Sequence, residues 1–106
     1  MNIVSYIVNA SVNTSGDEPV GNDVVVLTGV AASTIIKSIK VSTTDACVVT
    51  IKYKDTTDNE IFSYKLNLDD NGYVLIDSFD VVNAGHKLIL NADQASCKLK
   101  ADVVEN

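Results

Sequence analysis

The residue types that most often carry out chemistry are few and scattered in this 106-residue sequence, which holds one histidine and two cysteines. His86 follows a glycine at a predicted strand start, with no serine or cysteine nucleophile pattern beside it. A lone histidine in that position is usually a solvated surface residue. Cys47 and Cys97 lie far apart without a CxxC or Cys/His grouping, so zinc binding and dithiol redox chemistry lack their usual spacing.

The acidic residues form no recognisable metal-binding or acid–base motif. The segment Asn67-x-Asp69-x-Asn71-Gly72 matches the first half of a calcium loop, but position twelve would be Ser78 instead of a bidentate glutamate. Asparagine and glycine tolerate the positive φ of tight turns, so the segment is better explained as a turn. We therefore predict no catalytic residue, no cofactor and no metal site, and we expect a protein that is not an enzyme.

Composition favours strands over helices, because valine, isoleucine and threonine number 16, 9 and 8, whereas leucine and alanine together number 15. Apolar and polar residues alternate in short segments separated by polar turn clusters, which is typical of a sandwich or small barrel. The sequence predicts an all-β fold, a single antiparallel β-sandwich, Ig-like or jelly-roll-like, with about 7–9 strands. The predicted strands are 2–9, 23–28, 33–42, 46–54, 59–68, 73–77, 79–82, 86–91 and 96–104.

Strand alternation assigns an inward and an outward face to each strand. Seven of the eight lysines fall on outward faces, and the exception, Lys37, indicates a bulge or a sheet edge beside Ile35-Ile36. Both cysteines fall on inward faces, which permits either a disulfide across the sandwich or, by default without an export signal, two buried free thiols. The inward residues are Cys47, Val49, Ile51, Tyr53, Phe62, Tyr64, Leu66, Leu68, Leu88, Leu90, Cys97, Leu99, Ala101 and Val103.

Turn chemistry predicts the connections. Asp70-Asn71-Gly72 is a hairpin signal, so we expect strands 59–68 and 73–77 to pair antiparallel. Residues 10–23 hold the only proline and are predicted to be a loop. The sequence therefore divides into an N-terminal strand or arm with its loop at 1–22 and a β-sandwich domain at 23–106.

Several apolar residues fall where a solvated face should be polar. The run Val24 to Leu27 is apolar on both faces, and it needs a cover that either another subunit or the 1–22 arm could provide. Both alternatives stay open at this point. We predict a protein–protein interface that includes Ile3, Tyr6, Val24, Val26, Ile36, Val48, Ile89 and Val104.

The charge balance excludes some partners. Fourteen acids against eight lysines and no arginine give a formal charge of −6, which argues against nucleic acid and anionic lipid surfaces. The N-terminus lacks the basic region of a secretory signal, and the longest strictly apolar run, Val24 to Leu27, is far too short to cross a bilayer. We expect no nucleic acid, no membrane and no small-molecule substrate among the partners.

Four segments in the last seventy or so residues follow one another in a characteristic order of strands and turns. They are Thr34-Ile-Ile-Lys-Ser-Ile-Lys-Val-Ser42, Val48-Val-Thr-Ile-Lys-Tyr-Lys54, Val82-Asn-Ala-Gly-His-Lys-Leu-Ile-Leu90 and Ala95-Ser-Cys-Lys-Leu-Lys-Ala-Asp-Val-Val104. In this order, residues 33–106 resemble small virion proteins of tailed bacteriophages, although His86 stands where such proteins have aspartate. The resemblance implies a β-sandwich building block of the head, collar or tail, and it transfers no functional residue.

The function implied by this resemblance is that of a non-enzymatic structural subunit of a bacteriophage virion. Such a subunit would serve as a capsid decoration or cement protein, or as a head–tail or tail accessory protein. Its partners would be copies of itself and the major capsid or tail proteins, and it would reside in the virion after synthesis in the host cytoplasm. The alternative is an Ig-like surface module that binds carbohydrate or protein; Tyr73→Ala would test it, because sugar sites usually use exposed aromatic residues.

Overall fold

Two antiparallel sheets pack face to face around one hydrophobic core. The computed structural model describes residues 2–14, 16, 18–30, 34–77 and 81–105, and within these ranges it contains strands and turns but no helix. The all-β prediction is confirmed, with eleven strands in the described residues instead of the expected 7–9. The strands are β1 Asn2–Asn9, β2 Ser11–Asn13, β3 Val20–Asn22, β4 Val24–Thr28, β5 Thr34–Ser42, β6 Cys47–Lys54, β7 Glu60–Leu68, β8 Tyr73–Asp77, β9 Val81–Val82, β10 Lys87–Ala92 and β11 Lys98–Glu105.

The strand order is that of a jelly roll. The first sheet has the order β1-β11-β5-β8, with β9 also paired to β5, and the second sheet has the order β4-β10-β6-β7. The antiparallel pairs β1/β11, β4/β10, β5/β8 and β6/β7 are nested in sequence, like a long ribbon rolled into two sheets. Of the two predicted architectures, this nesting favours the eight-stranded jelly roll over the Ig-like sandwich.

Alternation along the strands builds the core as predicted. The buried cluster contains the inward residues of β6, β10 and β11, among them Val49, Leu88 and Leu99, each fully buried. Tyr64 lies on the inward side of β7 opposite Ile51 but is 50% exposed, because β7 is the edge strand of the second sheet. Residues 33 and 79–80 of two predicted strands lie outside the described residues.

Two bulges correct the predicted faces. Asp102 pairs with Ser38 and Val103 with Ile36, so Lys37 is an extra residue in β5, consistent with the bulge predicted because strict alternation would put this lysine on the inward face. The bulge turns Ile36 into the core, where it is 1% exposed, so its predicted outward position is wrong.

A second bulge explains the apolar run in β4. Leu27 pairs with Leu88 and Val25 with Ile89, which leaves Val26 as the extra residue. Val26 and Leu27 therefore both face the core, while Val25 is 47% exposed. Because β4 is an edge strand, neither an arm nor a second subunit is needed to cover two faces of a central strand.

The predicted hairpin between strands 59–68 and 73–77 is wrong. β7 pairs with β6 in the second sheet, whereas β8 pairs with β5 in the first sheet. Asn71 does adopt the left-handed conformation, with φ of 56°, and the turn carries the chain from one sheet to the other. Turn chemistry thus determined the chain reversal, but the apolar faces of β5 and β6 determined which strands pair.

The N-terminal segment contributes a sandwich strand and a hairpin. All eight residues of β1 pair with β11, and Val4, Tyr6 and Val8 pack against the core. Within the predicted loop, β2 and β3 form a short antiparallel hairpin that contacts β10. β1 therefore completes the first sheet as its edge strand.

Candidate functional site

His86 lies in the loop between β9 and β10, where it contacts Tyr53. Its Nδ1 is 2.9 Å from the Tyr53 hydroxyl, which also accepts the backbone N–H of Asn83 at 3.2 Å. The Tyr53 ring stacks on Phe62 with centroids 5.3 Å apart. His86 is half-buried, not solvated as predicted, and these contacts give it a structural role in tying the loop to the sheet.

Cys47 and Cys97 are both buried free thiols, as the default prediction stated. Burial raises the pKa of Cys97 to about 12, and neighbouring Cys47 adds to the shift. Burial also raises the pKa of Cys47, with a further contribution from Asp93. The thiolate is the nucleophilic form, so neither side chain has the character of a reactive cysteine.

Acidic residues in the loops stabilise turns. Asp55 Oδ1 accepts the backbone N–H groups of Asn59 and Thr57, and these bonds lower the pKa of its carboxyl group. Asp70 Oδ1 accepts the N–H of Ala46 at 2.7 Å. Across the described ranges, no three His, Cys, Asp or Glu side chains group as metal ligands. No helix in the part of the chain that the structure describes could span a bilayer.

The eight residues of the predicted interface fall into three groups. Ile89 lies on an outer face as predicted but is only 3% exposed, where β2 and β3 pack against β10. The residues on the surface are Ile3 and Val48, those half-buried are Tyr6, Val24 and Val104, and those buried are Val26, Ile36 and Ile89. Only the first group is fully available for contact on the single chain.

The outer face of the first sheet carries a band of apolar side chains at one end. The register places Val104 between Ile3 and Ile35. Ile35 in turn lies opposite Val81. We call Ile3, Val104, Ile35 and Val81 the apolar row. Its ends, Ile3 and Val81, are 79% and 42% exposed, and opposite residues of paired strands have adjacent side chains, so the row is continuous.

The centre of this face is polar, and its carboxylate is already paired. Asp102 accepts hydrogen bonds from Ser5 Oγ and from Ser38 Oγ, and its carboxylate lies 3.8 Å from Lys100 Nζ. The Ser5 bond is the main cause that lowers the pKa of Asp102, and Lys100 acts in the same direction. Asp102 is therefore ionised at neutral pH and has its partners within the chain.

A pocket of about 300 Å³ opens at the opposite end of the same face. Lys40 Nζ lies 5.4 Å from the centroid of the Tyr73 ring, and Tyr73 is 69% exposed. Sequence reasoning missed this pocket because its walls come from three separate segments that only the sheet register brings together. The lining residues are Lys40, Ser42, Thr43, Thr44, Asn71, Gly72, Tyr73, Ser96 and Lys98.

Asp23 fixes the β2–β3 hairpin to the outer face of the second sheet. Its Oδ1 accepts from Lys52 Nζ at 3.0 Å and from Asn91 Nδ2 at 2.8 Å, and its Oδ2 lies 3.5 Å from Lys54 Nζ. Partial burial acts to raise the pKa of Asp23, but the bonds from Asn91 and Lys52 and the two lysine charges outweigh it and lower the pKa.

We expect Asp23→Asn to lower the free energy of unfolding by about 1 kcal/mol at pH 7, a modest value because solvent screens this partly exposed carboxylate. A lowered carboxyl pKa stabilises the fold above the ordinary aspartate pKa, and this stabilisation is lost as the pH falls through the lowered value. Urea unfolding should therefore show a difference at pH 7 that disappears near pH 2. Asp77→Asn, on an exposed site without an ion pair in the described chain, should change neither value. An equal loss for Asp23→Asn at both pH values would contradict this assignment.

Comparison with known proteins gives similarity of structure only. No protein-family model matches the sequence, and no curated protein does. A structure of the infectious bursal disease virus Gx strain has a TM-score of 0.43 and 13% identity, covering 99% of this chain and 33% of that chain. A mutant VP2 protein of the same virus, with derived T=1 particles, has a TM-score of 0.45 and 12% identity over 98% of this chain and 32% of its own.

A VP2 subviral particle of that virus has a TM-score of 0.38 and 14% identity, over 97% of this chain and 33% of its own. These structural neighbours are viral capsid proteins. This chain spans about a third of the length of the chains it matches. At such scores and identities the likeness carries no inference about activity or partners.

Proposed function

We propose that this chain is a non-enzymatic structural subunit of a bacteriophage virion that acts through contacts of its sheet faces with other proteins. The observation that carries the proposal is the apolar row, whose ends Ile3 and Val81 are exposed to solvent. Contiguous exposed apolar surface on a soluble domain usually marks a contact site. No role in turnover is proposed for His86, Cys47 or Cys97, because burial and hydrogen bonding account for all three.

The same face offers enough apolar surface around the row to extend such a contact. Ile7 on β1 is 67% exposed and Leu75 on β8 is 56% exposed. Both lie on the outer face of the first sheet, Ile7 opposite Lys100 and Leu75 opposite Lys40. A stable protein–protein interface usually buries more than ~1,000 Å² in total. A contact that covers the row, Ile7 and Leu75 would span the full width of the sheet.

The assignment to tailed bacteriophages is supported by the sequence resemblance over residues 33–106, which includes β5 to β11. Jelly rolls occur in viral capsid and lectin domains alike, so the fold alone does not decide the function. We propose a capsid decoration or cement, head–tail or tail accessory role. The partners would then be copies of this chain and a major capsid or tail protein, within the virion.

Ile3→Asp tests the contact surface directly. Because Ile3 is 79% exposed on an edge strand, the substitution should leave the fold intact while placing a charge in the proposed interface. We expect self-association, measured by analytical ultracentrifugation over a wide range of concentration, to weaken at least tenfold. Binding of the Ile3→Asp variant to purified capsid or tail assemblies should weaken in parallel.

Ile61→Asp is the matched control, since Ile61 is a 53% exposed isoleucine on the edge strand of the other sheet. It should leave the association unchanged. A wild-type protein that stays monomeric at high concentration, binds no capsid or tail assembly and is missing from purified particles would overturn the proposed function.

A further inference from the structure

We propose that the pocket between β5, β8 and β11 binds an acidic saccharide, that is, a sugar ring that carries a carboxylate. The pocket lies five to seven residues along β5 from the apolar row, or about 16–23 Å at ~3.3 Å per residue. A protein contact limited to the row would leave the pocket open, whereas a contact that extends to Leu75, opposite Lys40, would reach its rim. Ligand binding by the single chain does not depend on the proposed function.

The first support is a local reversal of charge. The chain carries a net charge of −6, yet among the described residues no aspartate or glutamate lines this pocket and two lysines do. Lys98 lies opposite Ser42, and Lys40 lies opposite Lys100, so three lysines are neighbours on two paired strands. Like charges on adjacent strands repel one another, and a bound anion would relieve this repulsion.

Nearby charges do not neutralise the two lining lysines. Lys100 is paired with Asp102, whereas Lys40 and Lys98 have no ion pair among the described residues. One loop carboxylate beside the pocket, Asp45, uses Oδ2 to accept hydrogen bonds from Ser96 at 3.1 Å and Thr44 at 3.5 Å. Asp45 therefore pairs with hydroxyl groups on the rim and with neither lysine, and the two ammonium groups remain available to a ligand.

The uncharged part of the lining suits the hydroxyl groups of a sugar. In the described chain, neither the Ser42 hydroxyl nor the Asn71 side-chain amide has an internal hydrogen bond, and both line the pocket. The volume of about 300 Å³ is at the lower end of the range for ligand pockets, which fits one ring better than an extended chain.

Tyr73 supplies the remaining feature of a saccharide site. Lys40 occupies one side of its ring at 5.4 Å, and the side chain is otherwise 69% exposed at the pocket rim. An exposed aromatic face packs against the C–H groups of a sugar ring, while its hydroxyl group can hydrogen-bond. A simple phosphate or carboxylate would use the lysines but would make no contact with the exposed part of this ring.

The test is an NMR titration of the 106-residue chain with D-glucuronate, alongside D-glucose, acetate and inorganic phosphate at equal ionic strength. We expect saturable shifts of backbone amide signals in residues 42–44, 71–73 and 96–98 with glucuronate. Glucose and the two simple anions should bind at least tenfold more weakly. Shifts confined to these three segments would place the ligand in the pocket.

Two variants and one control complete the experiment. Lys98→Gln should weaken glucuronate binding at least tenfold, and Tyr73→Ala should weaken it at least threefold. Lys65→Gln removes an exposed lysine from the outer face of the other sheet and should leave binding unchanged.

Three results would overturn the inference: no saturable shift with glucuronate, equal binding of glucose, or equal binding of acetate or phosphate. Equal loss in Lys65→Gln would also overturn it, since the attraction would then come from general charge. None of these outcomes bears on self-association, so a failure here is distinguishable from a failure of the proposed virion role.

Discussion

Leu99→Ala is expected to lower the free energy of unfolding by about 2–5 kcal/mol, which makes it one of the most damaging single truncations in this chain. Leu99 is fully buried in β11, between Val8 of β1 and Val41 of β5. Truncation of the Leu99 side chain would leave a cavity in the core between the two packed sheets. Because β1 and β5 are hydrogen-bonded to β11 on either side, the site can collapse only partly around this cavity. Chemical denaturation at pH 7 measures the loss.

Leu88→Ala repeats the experiment in the second sheet, where Leu88 is also fully buried, and it should give a loss of the same order. Lys65→Ala is the control: it removes an exposed side chain from the outer face of β7 and should cost less than about 0.5 kcal/mol. Lys52 is unsuitable for this purpose because it donates to Asp23. Small and equal effects for all three would mean that the inward and outward faces are wrongly assigned.

Much of the fold could be predicted because strand alternation is a local property. Every second residue of 46–54 or 96–104 must be apolar to face a core, whatever strand lies beside it. For this reason the predicted strands agree with β1 and with β4 to β11 to within about two residues in the described chain. The inward position that strict alternation gives Lys37 even predicted an irregularity in β5, since a buried unpaired ammonium group is too costly.

Pairing between distant strands could not be predicted in the same way. The Asn71-Gly72 turn reverses the chain equally well within one sheet or between two, so its chemistry does not distinguish the observed crossover from the expected hairpin. The short β2–β3 hairpin was missed because its pattern spans only three residues in each strand. Its position depends on Asp23, whose three partners are distant in sequence.

The candidate contact surface was also predictable only in part, because alternation gives the face of each residue but not its neighbours on other strands. Ile3 and Val104 were predicted as interface residues from their faces, but their neighbours Ile35 and Val81 in the apolar row follow only from the register. Parity without bulges assigned Ile36 to the surface in place of Ile35. One extra residue reverses the face of every position beyond it, so a correct strand can still give an incorrect surface.

Gly29→Ala is the second substitution for which we expect a large loss of stability. Gly29 follows β4 and lies against the loop that carries His86. A Cβ atom at Gly29 would lie 2.0 Å from the Asn83 carbonyl oxygen and 2.8 Å from its carbon, so the backbone of one loop must move. Gly29 donates its N–H to His86 O at 2.8 Å and accepts from Gly85 N at 3.1 Å, and that movement would break both bonds. We expect a loss of about 1–3 kcal/mol or more, seen as a lower Tm and a changed environment of the His86 ring in NMR spectra.

The effect should come from the contact and not from loss of backbone freedom, because Gly29 does not adopt a left-handed φ. Gly16→Ala separates the two explanations: the nearest atom to a Cβ there is the Glu18 carbonyl oxygen at 4.0 Å, so added volume meets open space. Gly16→Ala should therefore leave Tm unchanged or raise it slightly by restricting the unfolded chain. If Gly29→Ala were equally harmless, the loop that carries His86 would not be held against the end of β4, and the structural role assigned to that histidine would fail with it.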